Sequence, residues 1–339
     1  MNARDQGQPV VEREAARGER EVAQGKPLLP IHLALADYDR TKPLIDGRVK
    51  AEGVDLTVDP KWIGDFCEQP VYEKYDVAEF SLSWYVAARM RGEPVIAMPL
   101  FPLRMPVLAY LFVRDDSTIT CPRDLIGKRI GAPGYRYTVN LWSRGIMKDH
   151  YGLSPDQLTW VTGAPEGAGF VIPKGIGVEM IPGAKPEQLL REGKVDAIMV
   201  PTTPASVLKA QPGIRRLFRD ARAEMRSLVA RTGILPITHT IVMKQSLYDH
   251  EPWLAKSIYN AFCEAQRLND EFYDNDSKRL GLSEAVFFLE EERAIYGPNA
   301  WSQGLDAKNR KVIETFVRYA HDQGYIERVP KLEELFTPI

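Results

Sequence analysis

The stretch that most limits what this chain can fold into is 124–142, D-L-I-G-K-R-I-G-A-P-G-Y-R-Y-T-V-N-L-W. Its middle, 128–132, is a short apolar run between turn signals and reads as a buried strand. Gly131, Pro133 and Gly134 break that strand. From Thr138 onward Val139, Leu141, Trp142, Ile146 and Met147 recur at helical spacing. Strand, glycine turn and helix therefore follow one another. Such a turn points backbone N–H groups outward at a helix N-terminus, with Arg136 and Tyr137 beside them, so an anion is expected there. The plainer account is that Gly-Pro-Gly only makes the turn and Arg136 is a solvated charge.

A chain of 339 residues can bury a large core and has the length of two domains or lobes. Its 44 basic and 46 acidic residues give a net charge of -2, so no basic surface invites nucleic acid. No apolar stretch approaches the length that spans a bilayer. Cys67, Cys121 and Cys263 are scattered and odd in number, which argues against a disulfide framework and against a zinc site. Residues 1–27 are charged and polar and read as a disordered tail without the apolar run of an export signal, so the cytoplasm is expected.

The same strand-to-helix corner recurs with polar residues at the strand exit, the end that faces the ligand crevice in open α/β sheets. Strand 31–36 runs into Asp37, Tyr38, Asp39 and Arg40; one of the acids can be a helix cap, but the group exceeds what a cap needs. Strand 75–80 carries Glu79 in an apolar run and exits into Ser81, Ser83 and Trp84. One serine can cap the following helix, whereas a carboxylate inside an apolar strand must be paired or shifted. Segment 94–102 ends in Phe101-Pro102-Leu103-Arg104, and 107–114 reads as the next strand. The first crossing between lobes is placed near 114–117, with strands at 128–133, 158–162 and 195–200 in the second lobe. Residues 237–243 alternate like a strand on the return, and helices follow at about 252–273, 283–296 and 306–323. The expected division is a 1–27 tail, a first lobe of 28–115 plus 235–339, and a second lobe of 116–234. Repeated β-α units of this kind build parallel sheets.

These strings resemble a known family. Asp37-Tyr38-Asp39-Arg40-Thr41 with Leu44-Ile45-Asp46-Gly47-Arg48-Val49, then 76–83 (D-V-A-E-F-S-L-S), is similar to 4,5-dihydroxyphthalate decarboxylase and its relatives. The similarity continues through Phe101-Pro102-Leu103-Arg104, 127–131, 142–146 and Leu235-Pro236-Ile237-Thr238-His239-Thr240, and covers nearly the whole chain after the tail. It implies a two-lobe α/β fold like that of type II periplasmic solute-binding proteins, with a ligand cleft between the lobes. The chain departs from the family where F-P-S-R followed by Arg-His is expected, having Leu103 and no second arginine or histidine. At the 133–137 turn it offers Gly134 and Arg136 in place of an acid and an amide.

The activity so implied is cofactor-independent decarboxylation of a hydroxylated aromatic acid, a carboxy-lyase reaction of phthalate degradation. A ring hydroxyl supplies electrons while an acid protonates the carbon bearing the carboxylate. No metal or other cofactor is needed, in keeping with a sequence that has no ligand spacing for a metal and no glycine-rich nucleotide loop. Arg104 and Arg136 are expected to converge on the substrate carboxylate from opposite lobes. His239, Glu79 and Asp37 are the proton carriers, although a histidine in a strand is commonly a core residue. Arg40, Ser81 and Ser83 are further substrate contacts, and Tyr38, Trp84 and Tyr137 can stack on an aromatic ring; Trp142 at helical spacing is more often core. The partner is a small aromatic carboxylate, with neither nucleic acid nor membrane; the sequence is also compatible with a homo-oligomer. Two other readings stay open: a solute-binding protein without catalysis, and a related lyase acting on a non-phthalate acid.

Overall fold

The computed structural model describes residues 27–66, 70–167, 170–275 and 280–339. All but the last residue of the expected 1–27 tail, and Cys67, lie outside them. In chain order the strands are β1 (Leu29–Ala36), β2 (Val54–Lys61), β3 (Val77–Ser81), β4 (Val95–Met98), β5 (Leu111–Arg114), β6 (Arg129–Ala132), β7 (Thr159–Thr162), β8 (Gly177–Met180), β9 (Ala197–Met199), β10 (Ile214–Arg216) and β11 (His239–Lys244). The longer helices are α1 (Leu82–Met90), α2 (Thr138–Tyr151), α3 (Ala221–Thr232), α4 (Trp253–Asn275), α5 (Ala285–Tyr296) and α6 (Ala307–Asp322). Among the described residues no helix is long and apolar enough to cross a membrane.

Two sheets result, as an α/β chain with two lobes requires. The first has the order β2-β1-β3-β11-β4, and the second β10-β5-β9-β6-β7-β8. β11 returns from the far side of the chain and runs antiparallel between β3 and β4. Both faces of the first sheet are covered. Leu33, Leu35, Val77, Ile241 and Met243 pack with Leu254, Ile258 and Phe262 of α4, while Ala34, Ala78, Phe80 and Val242 join the larger core on the other side. That double burial is why these strands read as continuous apolar runs.

In the second sheet β6, β7, β8 and β9 are parallel and β5 is antiparallel to β9 and β10. β5 begins only at Leu111, because Val107–Tyr110 forms a 3-10 turn. The first passage between sheets therefore precedes Leu111 and does not fall near 114–117. β8 and β10 were not anticipated. β8 is a largely exposed edge strand and β10 is three residues long, so neither carries an apolar alternation that could announce it.

Within the 235–339 segment assigned to the first lobe, β11 and α4 build on the first sheet, while α6 reaches α2, in the 116–234 segment. α6 packs across α2: Trp142 is fully buried against Phe316 and Tyr319 at ring-centroid distances of 5.4 and 5.7 Å. The close approach needs Gly145, since a Cβ there would lie 2.2 Å from the Tyr319 ring. Beyond α6 the chain returns to the first sheet, where the Thr337 N–H donates to the Ala97 carbonyl at 2.9 Å.

Candidate active site

β3 places Val77, Glu79 and Ser81 on one face by strand alternation. Across the antiparallel ladder His239 pairs with Ser81 and Ile241 with Glu79, so Glu79 and His239 are diagonal neighbours on that face. His239 Nδ1 lies 2.6 Å from Glu79 Oε1. The same oxygen accepts the Tyr38 hydroxyl at 2.7 Å, and Oε2 accepts the Ala36 N–H at 3.1 Å. Glu79 is 0% exposed, and an unpaired carboxylate could not remain there. Three donors make its burial tolerable.

His239 and Ser81 open onto a cavity of about 440 Å³ between the two sheets. Leu103, Met105 and Thr238 extend its first-sheet wall. Facing them are Tyr137, Thr138 and Val139 at the start of α2, Ile198 of β9, Thr202 after it, and Lys185. The enclosure is mostly apolar with a few hydroxyls, a shape and chemistry suited to an aromatic ring bearing polar substituents.

The two serines join the sheets. Ser81 Oγ is 2.7 Å from Thr138 Oγ1, which also accepts the Ser83 N–H at 3.0 Å. Ser83 Oγ donates to the Arg136 carbonyl at 2.8 Å. Neither serine caps α1: its N-cap, Ser81, makes no side-chain capping bond. Of the pair, Ser81 reaches the cavity; Ser83 is spent on the turn before α2.

The two arginines of the expected clamp are not among the residues lining this cavity. Leu103 and Met105 line the cavity, and Arg104 between them points away, donating from Nη2 to the Ser302 carbonyl at 2.7 Å and to Asn309 Oδ1 at 3.0 Å. Burial pushes its guanidinium down to about 10, opposed by nearby Asp306. Arg136 stacks on Trp84 of α1, with Cζ 3.0 Å from the ring centroid, and burial likewise holds it at about 10. Trp84 is thus an arginine platform and not a wall of the cavity. The expectation that the Gly-Pro-Gly turn holds an anion is met by the protein itself. The Glu166 carboxylate accepts the backbone N–H groups of Tyr135 and, at 3.0 Å, Arg136.

Asp37 lies outside the cavity too. Its half-exposed carboxylate pairs with Lys42 at 2.9 Å and takes no part in the cavity wall, because the chain turns at Tyr38 and sends the two side chains apart. Arg40 stands behind Tyr38. Its Cζ lies 4.2 Å from the Tyr38 ring and 4.1 Å from the Trp301 ring, and Nε donates to the Pro102 carbonyl at 2.7 Å. Burial keeps its pKa below the ordinary guanidinium range, against the pull of Asp39. It supports the ring whose hydroxyl holds Glu79. Thr138, Lys185 and Thr202 join the site without having been anticipated. Lys185 lies in a Gly/Pro-rich passage with no periodicity, and the Pro186 helix start after it is the only local signal.

Among the described residues no group of three or more His, Cys, Asp or Glu could hold a metal ion. No protein-family model matches the chain. It is 31% identical over 322 residues to a 4,5-dihydroxyphthalate decarboxylase of Comamonas testosteroni, covering 91% of this chain and 97% of that one. It is 34% identical over 203 residues to a 4,5-dihydroxyphthalate decarboxylase of Pseudomonas putida, covering 57% and 78%. In fold it is similar to the periplasmic sulfonate-binding protein SsuA from Methylobacillus flagellatus KT, with a TM-score of 0.55, 14% identity and 93% of each chain covered. That likeness is one of architecture: two α/β lobes around a cleft.

Proposed function

This chain belongs to the 4,5-dihydroxyphthalate decarboxylase family, and from that premise we propose how its cleft releases CO2 from a hydroxylated aromatic acid. The chain is a carboxy-lyase acting on a phthalate-like acid; the assignments of residues to steps are our own. The observation that carries them is the contact between His239 Nδ1 and Glu79 Oε1 at the cavity wall, at 2.6 Å.

A carboxylate is an acceptor only, so Glu79 fixes the proton of the imidazole on Nδ1 and orients the ring. We assign Nε2 to the substrate. From the imidazolium form of the ring a proton passes from Nε2–H to the ring carbon that bears the leaving carboxylate, while the para hydroxyl donates electrons and becomes a ring carbonyl as its own proton passes to water. The bond to the carboxyl carbon then breaks. Its electron pair restores the aromatic ring, CO2 leaves, and the hydroxyl regains a proton. One proton is consumed per turnover, and the imidazole is reloaded from solvent. Tyr38 acts through Glu79 as a positioning residue, and we assign the ring hydroxyls to Ser81, Thr138, Thr202 and Tyr137, whose hydroxyl-bearing side chains face each other across the cavity. The apolar walls hold the ring and keep water from the carbon being protonated.

The direct test is CO2 release from 4,5-dihydroxyphthalate by the purified protein, beside hydroxybenzoates and phthalate. Turnover of a hydroxylated acid and none of phthalate is expected, since phthalate has no hydroxyl to supply electrons. A protein that binds these acids tightly and releases no CO2 from any of them is a receptor, and the catalytic assignment falls.

A further inference from the structure

Among the described residues one lysine, the exposed Lys185, lines the cavity, and the proton-transfer scheme does not use it. Lys185 lines it from the second-sheet side, on the loop between β8 and the short helix Pro186–Arg191, while His239 lines it from β11 of the first sheet. Among the described residues Lys185 has neither an ion pair nor a side-chain hydrogen bond. The carboxylate nearest in sequence, Glu187, is engaged by Arg191 at 3.0 Å. Arg104 donates to Ser302 and Asn309 and Arg136 stacks on Trp84; among the described residues each keeps two buried guanidinium nitrogens without a hydrogen-bond partner, but neither side chain lines the cavity. Around His239 the first-sheet wall is formed by Leu103 and Met105 with the hydroxyls of Ser81 and Thr238, and among the described residues no lysine or arginine lines it.

That asymmetry matters for a decarboxylase. The leaving carboxylate loses its charge as CO2 forms, so a cation bound to it stabilises the ground state more than the transition state and slows the step. Apolar surroundings do the reverse, penalising the charge only before it is lost. A carboxylate that stays on the ring keeps its charge throughout, and a cation can hold it without affecting the barrier. We propose that Lys185 binds the carboxylate the product retains, leaving the second, adjacent carboxylate against the wall at His239. The phthalate-like acid of the proposed reaction then loses one CO2 from the end at His239 and keeps the carboxylate at Lys185. The balance is that of the scheme above: one C–C bond breaks, one C–H bond forms with the proton of His239, and the retained carboxylate is unchanged. An aromatic monocarboxylate anchored by Lys185 turns a carbon bearing only hydrogen toward His239, so it binds as an inhibitor and is not consumed.

This inference rests on the decarboxylase reading, and the experiment separates the two. Wild type, Lys185→Met and Lys185→Arg are assayed with 4,5-dihydroxyphthalate, and with 3,4-dihydroxybenzoate both as substrate and as competitor. Wild type is expected to release one CO2 from the dicarboxylate and none from the monocarboxylate. Lys185→Met should raise KM for the first and the inhibition constant of the second by about tenfold or more, the worth of one charge-assisted bond, with kcat within about threefold. Lys185→Arg should recover most of that affinity. KM and inhibition unchanged in Lys185→Met, a loss confined to kcat, or turnover of 3,4-dihydroxybenzoate by wild type would each overturn the assignment. If wild type releases no CO2 from the dicarboxylate, the decarboxylase reading fails on its own. Calorimetric binding of 3,4-dihydroxybenzoate then decides the matter of Lys185: a tenfold loss in Lys185→Met upholds it as the carboxylate anchor, and equal affinity removes it.

Discussion

His239 Nδ1 lies 2.6 Å from Oε1 of Glu79, a residue 160 positions earlier in the chain. The two meet because β11 inserts antiparallel beside β3 with His239 opposite Ser81, which sets Glu79 one diagonal step away on the same face. If the pair moves a proton, His239→Asn and Glu79→Gln should each lower turnover by a factor on the order of 10²–10⁴. Substrate should still raise the melting temperature of both variants, because binding groups lie elsewhere in the cavity. Wild-type turnover in His239→Asn across the pH range would return the histidine to a structural role.

Tyr38 reaches the same carboxylate from the turn after β1, its hydroxyl donating to Glu79 Oε1 at 2.7 Å. Tyr38→Phe removes one hydrogen bond to a charged group, worth about 1.5 kcal/mol at the least, so kcat should fall by about tenfold with KM little changed. A change in KM alone would mean that Tyr38 contacts substrate directly.

Glu166 satisfies the N–H groups of Tyr135 and Arg136 on the turn before α2. Glu166→Ala should leave those buried donors short of a partner and lower the stability to unfolding by about 1–3 kcal/mol, read from denaturant midpoints. An unchanged midpoint would show that water replaces the carboxylate without cost.

Gly145 lets α6 lie directly on α2, and a Cβ there would stand 2.2 Å from the Tyr319 ring. Gly145→Ala gains helix propensity but forces the ring or the helix to move. The overpacking should win, lowering stability by about 1–3 kcal/mol. A stabilised variant would indicate that Tyr319 can turn aside freely.

Turnover should persist after exhaustive treatment with a chelator, since the proposed steps use only side chains and the described residues contain no cluster of metal-ligating groups. Activity lost to the chelator and restored by a divalent ion would require a different mechanism.

Local pattern carried the alternation of strands and helices, because apolar periodicity and glycine turns act over a few residues at a time. The corner at 128–142 appears as β6, a turn and α2, and the return strand as β11. Glu79 and His239 were also legible as candidates, since a carboxylate within an apolar strand has to be answered by a donor somewhere. What answers it was decided only in three dimensions. Which way a guanidinium points depends on partners far along the chain: Arg104 turns to Asn309 and Arg136 to Trp84, and the anion at the glycine turn is Glu166. β8 and β10 exist because neighbouring strands offer them hydrogen bonds, and their own residues carry no matching pattern. Lys185 reaches the cavity because a loop with no periodicity is carried there by the second sheet. The sequence by itself determined the elements and the residues that could not be inert; the packing of one sheet against the other determined which of them share a cavity.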